Sequence, residues 1–383
     1  MQGAYKEYIE SNDLDFETRE FSKFMEYQNP RIKNAVAGGT AAFVVTHQKK
    51  DDGQTKEVVE KEEEVNHDGQ VKSYLTGEWV DQSIGRSRAV AVMTENTKAA
   101  LPQYGINSAG VLYEAPVEGS ITRMMAIYED YADLTQMGNV RSCRPYYAQF
   151  AAEFDAIYVH FGQSVQGEQL LATGIVDNLS GLDGSLGDTF YRTSEHAAPH
   201  NAYTSAEGIA SGIAKKGYDT QYDASYDGHY IFAEDDSPNT LSAGTDCVVV
   251  KPYYFYNHPY FIYNKDSQTY ARYQFGAEQI DAVDGKQVEV SNIIFQNVNN
   301  SIYEGTQYLN ITVSGSGEGK FFTQGKMIDI TWRKGDDGIT HYYDNDGNEI
   351  VLNQGKTWVC IIQSQYADDS AFYATEEEFS SAQ

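Results

Sequence analysis

Pro145-Tyr-Tyr-Ala-Gln-Phe-Ala-Ala-Glu-Phe154 runs directly into Asp155-Ala-Ile-Tyr-Val-His-Phe161. The first stretch spaces aromatic and apolar residues as a helix does, with Pro at the first turn, where a missing N–H costs nothing. The second is a short apolar run of β-formers and reads as a buried strand. A helix at 168–173 follows it. Upstream, strands are predicted at 88–93, 110–115 and 121–128. Downstream, Thr204-Ser-Ala-Glu207 predicts a helix to Lys216, with Thr204 as N-cap and Glu207 closing a capping box. Strands alternating with helices predict an α/β layered domain over residues 73–232.

From about residue 233 the texture changes. Short strands are predicted at 247–252, 260–263, 270–275, 288–296, 308–313, 327–332 and 357–363, separated by Gly-, Asn- and Asp-rich turns. This predicts a mostly antiparallel β-domain over 233–366, and the fold class is α+β. Residues 367–383 read as an acidic tail without ordered structure.

Residues 1–72 form an N-terminal tail, with a short helix expected over 15–27. Arg31-Ile-Lys33-Asn34 then precedes an uncharged run at 35–46. That run is too short for a membrane-spanning helix of roughly 20 residues. Basic residues ahead of small apolar ones resemble the n- and h-regions of a signal sequence, and a buried strand or helix is the alternative. Residues 49–72 are highly charged and read as a flexible linker. A short apolar segment with a charged tether is the layout of a domain held off a membrane.

The chain of 383 residues is long enough for two domains, and its formal charge is −28. That charge excludes nucleic acid as a partner, since phosphate binding needs a basic face. It also disfavours an anionic membrane surface. The three cysteines, Cys143, Cys247 and Cys360, show no metal or redox spacing.

Between Lys98 and Lys215 there is no lysine, and the only arginines are Arg123, Arg141, Arg144 and Arg192. Arg123, Arg141 and Arg144 sit in apolar or aromatic runs. A buried guanidinium must meet a carboxylate or a bound anion, because an unpaired one is very costly. Glu114, Glu118, Glu153 and Asp155 are the acids close in sequence. Either these pair the arginines internally, or the arginines clamp a phosphate or carboxylate while the acids orient them.

Other motifs read as structure. Gly162-Gln-Ser164-Val-Gln-Gly167 sits where a nucleophile elbow would, with His160 and His200 as conceivable bases, but its second Gly comes one residue late. A polar strand-to-helix turn is expected instead. In His196-Ala-Ala-Pro-His200 the proline breaks the helix that would bring both imidazoles to one metal, so His200 and Asn201 are expected in a locally bonded turn. Gly315-Ser-Gly-Glu-Gly319-Lys320 departs from a phosphate loop and reads as a hairpin turn. Asp344-Asn-Asp-Gly347 departs from a calcium loop and also reads as a turn. No metal or cofactor is expected.

Several ordered stretches carry a resemblance. They are Leu75-Thr-Gly77, Ala89-Val-Ala-Val-Met93, Pro102-Gln-Tyr-Gly-Ile106, and Tyr113-Glu-Ala-Pro-Val-Glu-Gly119 with Ile121-Thr-Arg123. Val140-Arg-Ser-Cys-Arg-Pro-Tyr146, Asp155-Ala-Ile-Tyr-Val-His160, Ala198-Pro-His-Asn201 and Gly355-Lys-Thr-Trp358 continue it. Over residues 73–365 the chain resembles the YerB-like family of bacterial lipoproteins, whose function is unknown. The resemblance implies an N-terminal and a distinct C-terminal domain, and export to the outer face of the cell membrane through a lipidated cysteine. Here His47 and Gln48 follow the apolar run in place of that cysteine, and Gly138-Asn139 stands where members show Gly-Pro.

The leading expectation is an extracytoplasmic, membrane-associated binding protein, a cytoplasmic location being the alternative. Its ligand would be an anionic small molecule or cell-wall component. The candidate ligand-binding residues are Arg123, Arg141, Arg144, Glu114, Glu118, Tyr146, Asp155, His160, Arg192, His200 and Asn201. A second expectation is phosphotransfer or hydrolysis of a cell-wall or lipid pyrophosphate at the same arginines, with Asp155, His160 or Glu118 as base. It rests on a fold-level resemblance to envelope enzymes whose arginines hold a polyprenyl pyrophosphate. A third is a protein-interaction scaffold whose arginines are all internally paired.

Overall fold

The computed structural model describes residues 43–49, 55–61 and 67–382. Phe43–Lys49 and Thr55–Lys61 pair as an antiparallel hairpin. The expected helix at 15–27 and most of the run at 35–46 lie outside the described residues. The linker reading over 49–72 is corrected, because Thr55–Lys61 and Gln70–Lys72 are both strands. Thr-Lys-Glu-Val-Val-Glu-Lys has β-formers at its centre, and these outweigh the charge around them.

Within residues 69–383, strands far outnumber helices. The first three strands of the main sheet are β1 (Val90–Glu95), β2 (Val111–Pro116) and β3 (Thr122–Tyr128). Helix α1 (Pro145–Glu153), β4 (Ile157–His160), α2 (Val165–Leu171) and β5 (Asn178–Ser180) follow. After α3 (Ala206–Lys216) come β6 (Thr245–Asp246), β7 (Asn292–Val298), β8 (Ser316–Thr323), β9 (Lys326–Lys334), β10 (Thr340–Tyr343) and β11 (Thr357–Gln363). These strands form one sheet in the order β5-β4-β1-β3-β2-β11-β7-β8-β9-β6, and β10 also pairs with β9. β5, β4 and β1 are parallel, β1, β3 and β2 antiparallel. β11 runs parallel to both β2 and β7, and the strands beyond β7 are antiparallel.

Every residue of β1, β2 and β3 is buried. A strand reads as an uninterrupted apolar run when both of its faces are covered. One face carries Met93, Tyr113, Met125 and Val359 against Tyr147, Phe150 and Phe154 of the α1 region. Tyr113 stacks on Phe150 with ring centroids 4.6 Å apart. The other face carries Val92, Leu112, Met124 and Trp358 against Ile209 of α3 and a second sheet that presents Phe261 and Tyr270. That sheet is built from Val249–Lys251, Tyr260–Asn264, Thr269–Gln274, Ala277–Glu278, Glu289–Val290 and Ala371–Tyr373.

Three element readings change. The cap of α3 is Ser205, whose side chain accepts from the Gly208 N–H, while Thr204 ends the strand before it. The 315–320 stretch is strand for most of its length, not a hairpin turn. A Cβ on Gly319 would lie 2.1 Å from the Phe295 carbonyl, so glycine there admits the close approach of β7. Residues 367–382 of the expected tail form ordered structure. Ala371–Tyr373 pairs with Val249–Lys251, and Thr375 caps a helix at Glu376–Ser381 that buries Phe379 against Tyr260 and Tyr373.

Candidate anion-binding site

The arginines converge where β1 and β3 end and α1 begins. Register places Glu95 of β1 opposite Arg123 of β3. The segment after Gly138 runs beside β1, with the Glu95 N–H donating to the Asn139 carbonyl and the Arg141 N–H donating to the Met93 carbonyl. Arg144 is the N-cap residue of α1, and Pro145 follows it at N1. Segment and helix entry therefore deliver Arg141 and Arg144 to the end of the strand pair that carries Arg123.

Two carboxylates meet these three guanidinia. Glu118 takes both Nε (2.9 Å) and an Nη of Arg144, and an Nη of Arg123 lies 3.4 Å from it. Arg123 also donates to the Ser142 carbonyl at 3.1 Å, and its Nε has no hydrogen-bond partner. Arg144 lies over the Tyr308 ring at 4.8 Å. Glu95 approaches Arg141 Nε at 2.7 Å, out of line for a hydrogen bond, and His200 Nδ1 at 3.1 Å. Arg141 donates in addition to the Pro199 carbonyl at 3.0 Å.

Burial raises the Glu118 carboxyl, but the Arg144 hydrogen bonds and the Arg123 and Arg144 charges outweigh it, leaving the group below its ordinary value. Burial pulls Arg141 below the ordinary guanidinium value. Glu95 and Glu118 oppose that fall, while repulsion from Arg123 and Arg144 adds to it. Arg141 thus sits beside two further positive charges, Arg123 and Arg144, with Glu95 as its strongest charge partner. It is also the least enclosed of the three, its side chain 15% exposed against 4% for Arg123 and 5% for Arg144.

The remaining candidates divide. His200 joins through Glu95. Asn201 accepts from Arg192 at 2.7 Å and donates to the Thr193 carbonyl, and Arg192 lies over Phe161 at 4.6 Å. The expected turn is present, the His200 N–H donating to the Ala197 carbonyl, but neither side chain bonds within it: Asn201 reaches Arg192 and Thr193, and His200 a distant strand. Tyr146 is a buried support whose hydroxyl donates to the Pro116 carbonyl. Glu114 does not orient the arginines: it pairs with fully buried Arg272 at 2.6 Å and accepts from Asn96, Thr122 and Asn257. Asp155 binds Arg88, and Glu153 binds Lys334 and Thr340. His160 is buried, with its ring nitrogens against the Gly162 carbonyl and Asn178. Ser164 caps α2 by accepting from the Gly167 N–H, as a polar strand-to-helix turn requires.

Sequence reasoning missed Glu95, the one signal being a charged residue closing an otherwise apolar strand. Among the described residues no group of His, Cys, Asp and Glu is arranged to hold a metal ion, and no helix is long and apolar enough to cross a membrane.

Comparison with known proteins agrees with the architecture. Residues 75–219 match the family model for the protein of unknown function (DUF3048) N-terminal domain, and residues 249–359 match its C-terminal domain. The chain is 30% identical over 299 residues to the Bacillus subtilis (strain 168) protein named "Putative lipoprotein YerB", an alignment spanning 76% of this chain and 86% of that one. A crystal structure of the YerB protein from Bacillus subtilis matches with a TM-score of 0.70 and 28% identity, over 79% of this chain and 99% of that chain. With both domains matched and the greater part of a relative aligned, the chain belongs to the YerB-like family of proteins of unknown function.

Proposed function

We propose that this chain is an extracytoplasmic, membrane-associated binding protein that captures an anionic, phosphate- or carboxylate-bearing ligand at Arg141, with Arg123 and Arg144 supplying positive potential behind it. The observation that carries this reading is that three guanidinia share two carboxylates in a chain of net charge −28. An incoming anion supplies the missing negative charge and can accept two parallel hydrogen bonds from one guanidinium. The location follows the lipoprotein name of the relative.

The test is thermal stability of the full chain against phosphate, pyrophosphate, polyprenyl phosphates and wall fragments, with and without Mg²⁺. A ligand at about 100 times its dissociation constant stabilises by roughly 2.7 kcal/mol, a shift of a few degrees. Arg141→Ala should fold and lose the shift. No shift from any anion refutes the reading. Loss of folding in Arg141→Ala favours a scaffold with internally paired arginines, which the clamping of Arg123 and Arg144 by Glu118 also supports. Turnover of a pyrophosphate would point instead to an enzyme.

A further inference from the structure

A cleft of about 400 Å³ opens beside Glu118, within the roughly 300–1,000 Å³ usual for small-molecule sites. Phe255, Ile302 and Tyr366 line it and are 66%, 61% and 41% exposed. Apolar side chains exposed singly need no explanation, but three on one concavity do. Tyr253 adds a fourth apolar surface, tilted against Tyr366 with ring centroids 5.4 Å apart.

The wall is preformed. Between Tyr253 and Phe255, Tyr254 is buried and its hydroxyl donates to the Glu114 carbonyl at 2.9 Å, which fixes the segment to β2. The polar part of the lining includes four side-chain amides, Asn300, Gln307, Gln363 and Gln365, beside the hydroxyls of Ser120, Thr122 and Ser301. Asn300 donates to Gln365 at 2.8 Å and accepts from Gln363 at 2.9 Å. These bonds order the amides and use only part of their donor and acceptor capacity. Glu118 is the sole charged residue among those lining the cleft, and Arg123 and Arg144 already hold it.

A lining whose one charge is already paired with arginines offers no free counter-charge to an ion. Flat exposed rings beside ordered amides match a ligand with apolar C–H faces and a rim of hydroxyl and acetamido groups. We propose that this cleft binds an uncharged oligosaccharide, with Phe255 and Tyr366 stacking on pyranose faces and Asn300, Gln363 and Gln365 bonding to the rim. The cleft shares Glu118 with the arginine cluster, but the proposal does not depend on the anion reading at Arg141.

Isothermal titration of the full chain with a β-1,4-linked N-acetylglucosamine hexamer, and with the corresponding glucose hexamer, tests it. Saturable binding of at least one sugar is expected. Phe255→Ala and Tyr366→Ala remove exposed rings and should each weaken it roughly three- to tenfold. Gln365→Ala should act in the same direction, and Arg141→Ala should leave the affinity unchanged. Absence of saturable binding by both sugars overturns the proposal, as does undiminished affinity in both ring variants. If short extended peptides bind and the sugars do not, with Tyr366→Ala abolishing peptide binding, the cleft is a peptide groove and the proposal fails.

Discussion

Glu118 holds two guanidinia at once and is the residue on which the arginine cluster turns. Its folded carboxyl lies below its unfolded value, so its contribution is complete above about pH 4.5 and is lost as pH falls through the lower folded value. Removing the charge leaves Arg123 and Arg144 enclosed and uncompensated. Glu118→Gln should cost about 2 kcal/mol at pH 7, below the roughly 3–5 kcal/mol of a fully buried pair because the carboxylate keeps some solvent. Added sulfate should recover part of that loss by taking the carboxylate's place. Urea unfolding with and without sulfate measures both, and stability unchanged by the substitution contradicts the account. Arg123, Arg141 and Arg144 were legible in the sequence because that stretch contains no lysine, though Arg192 stood out equally and meets Asn201 instead, and Glu118 was named for its closeness to Arg123. Glu114 was misassigned because closeness in sequence hides the alternation of a strand. Glu114 pairs in register with Met124, on the face toward the second sheet, and Arg123 pairs with Ala115 on the other face.

At the scale of elements, α1 and β4 were readable because helical spacing gives way to a continuous apolar run within a few residues. The strand at 316–323 was not, since its glycines signal a turn unless the neighbouring strand's approach is known. The C-terminal helix was hidden for a related reason. Its acids form the first turn of a capped helix, and its one large apolar residue, Phe379, finds partners only in the folded protein. Where α1 ends, His229 lies against Phe154, with ring centroids 4.4 Å apart, and its Nε2 is 2.9 Å from the Thr340 carbonyl. Burial drives His229 down to about 3, so it stays neutral in the folded protein while the unfolded chain protonates near 6.5. A base depressed by folding stabilises fully above 6.5 and progressively less as pH falls from 6.5 toward 3. The stability difference between wild type and His229→Gln should therefore shrink by about 2 kcal/mol between pH 6.5 and pH 5. Taking the difference cancels groups remote from His229, whereas Glu153, which burial raises and whose carboxylate lies 3.7 Å from Nε2, titrates coupled to it. A gap constant over that range refutes the assignment.

For the whole molecule, the sequence predicts two domains by texture, whereas hydrogen bonding crosses the boundary at 232/233. β11, from the far end of the chain, pairs with β2 along Thr357–Cys360 and with β7 along its whole length. Tyr254 reaches both strands, donating to the Glu114 and Ile361 carbonyls. The fully buried Glu114–Arg272 pair ties β2 to the second sheet, with Arg272 lying over Trp358 at 4.2 Å. Separating the halves would uncover an apolar strand edge and leave two buried charges unpartnered, each change costing several kcal/mol. That coupling is large against the roughly 5–15 kcal/mol of a typical domain, so neither half should survive loss of the other. Residues 69–383 should accordingly unfold in one cooperative step. Native-state hydrogen exchange should give the Val92 amide of β1 and the Phe321 amide of β8 the same opening free energy and the same urea dependence. Two values separated by more than about 1 kcal/mol, or a fragment of residues 73–232 that folds alone, would show that the matched domains are independent bodies sharing a sheet edge.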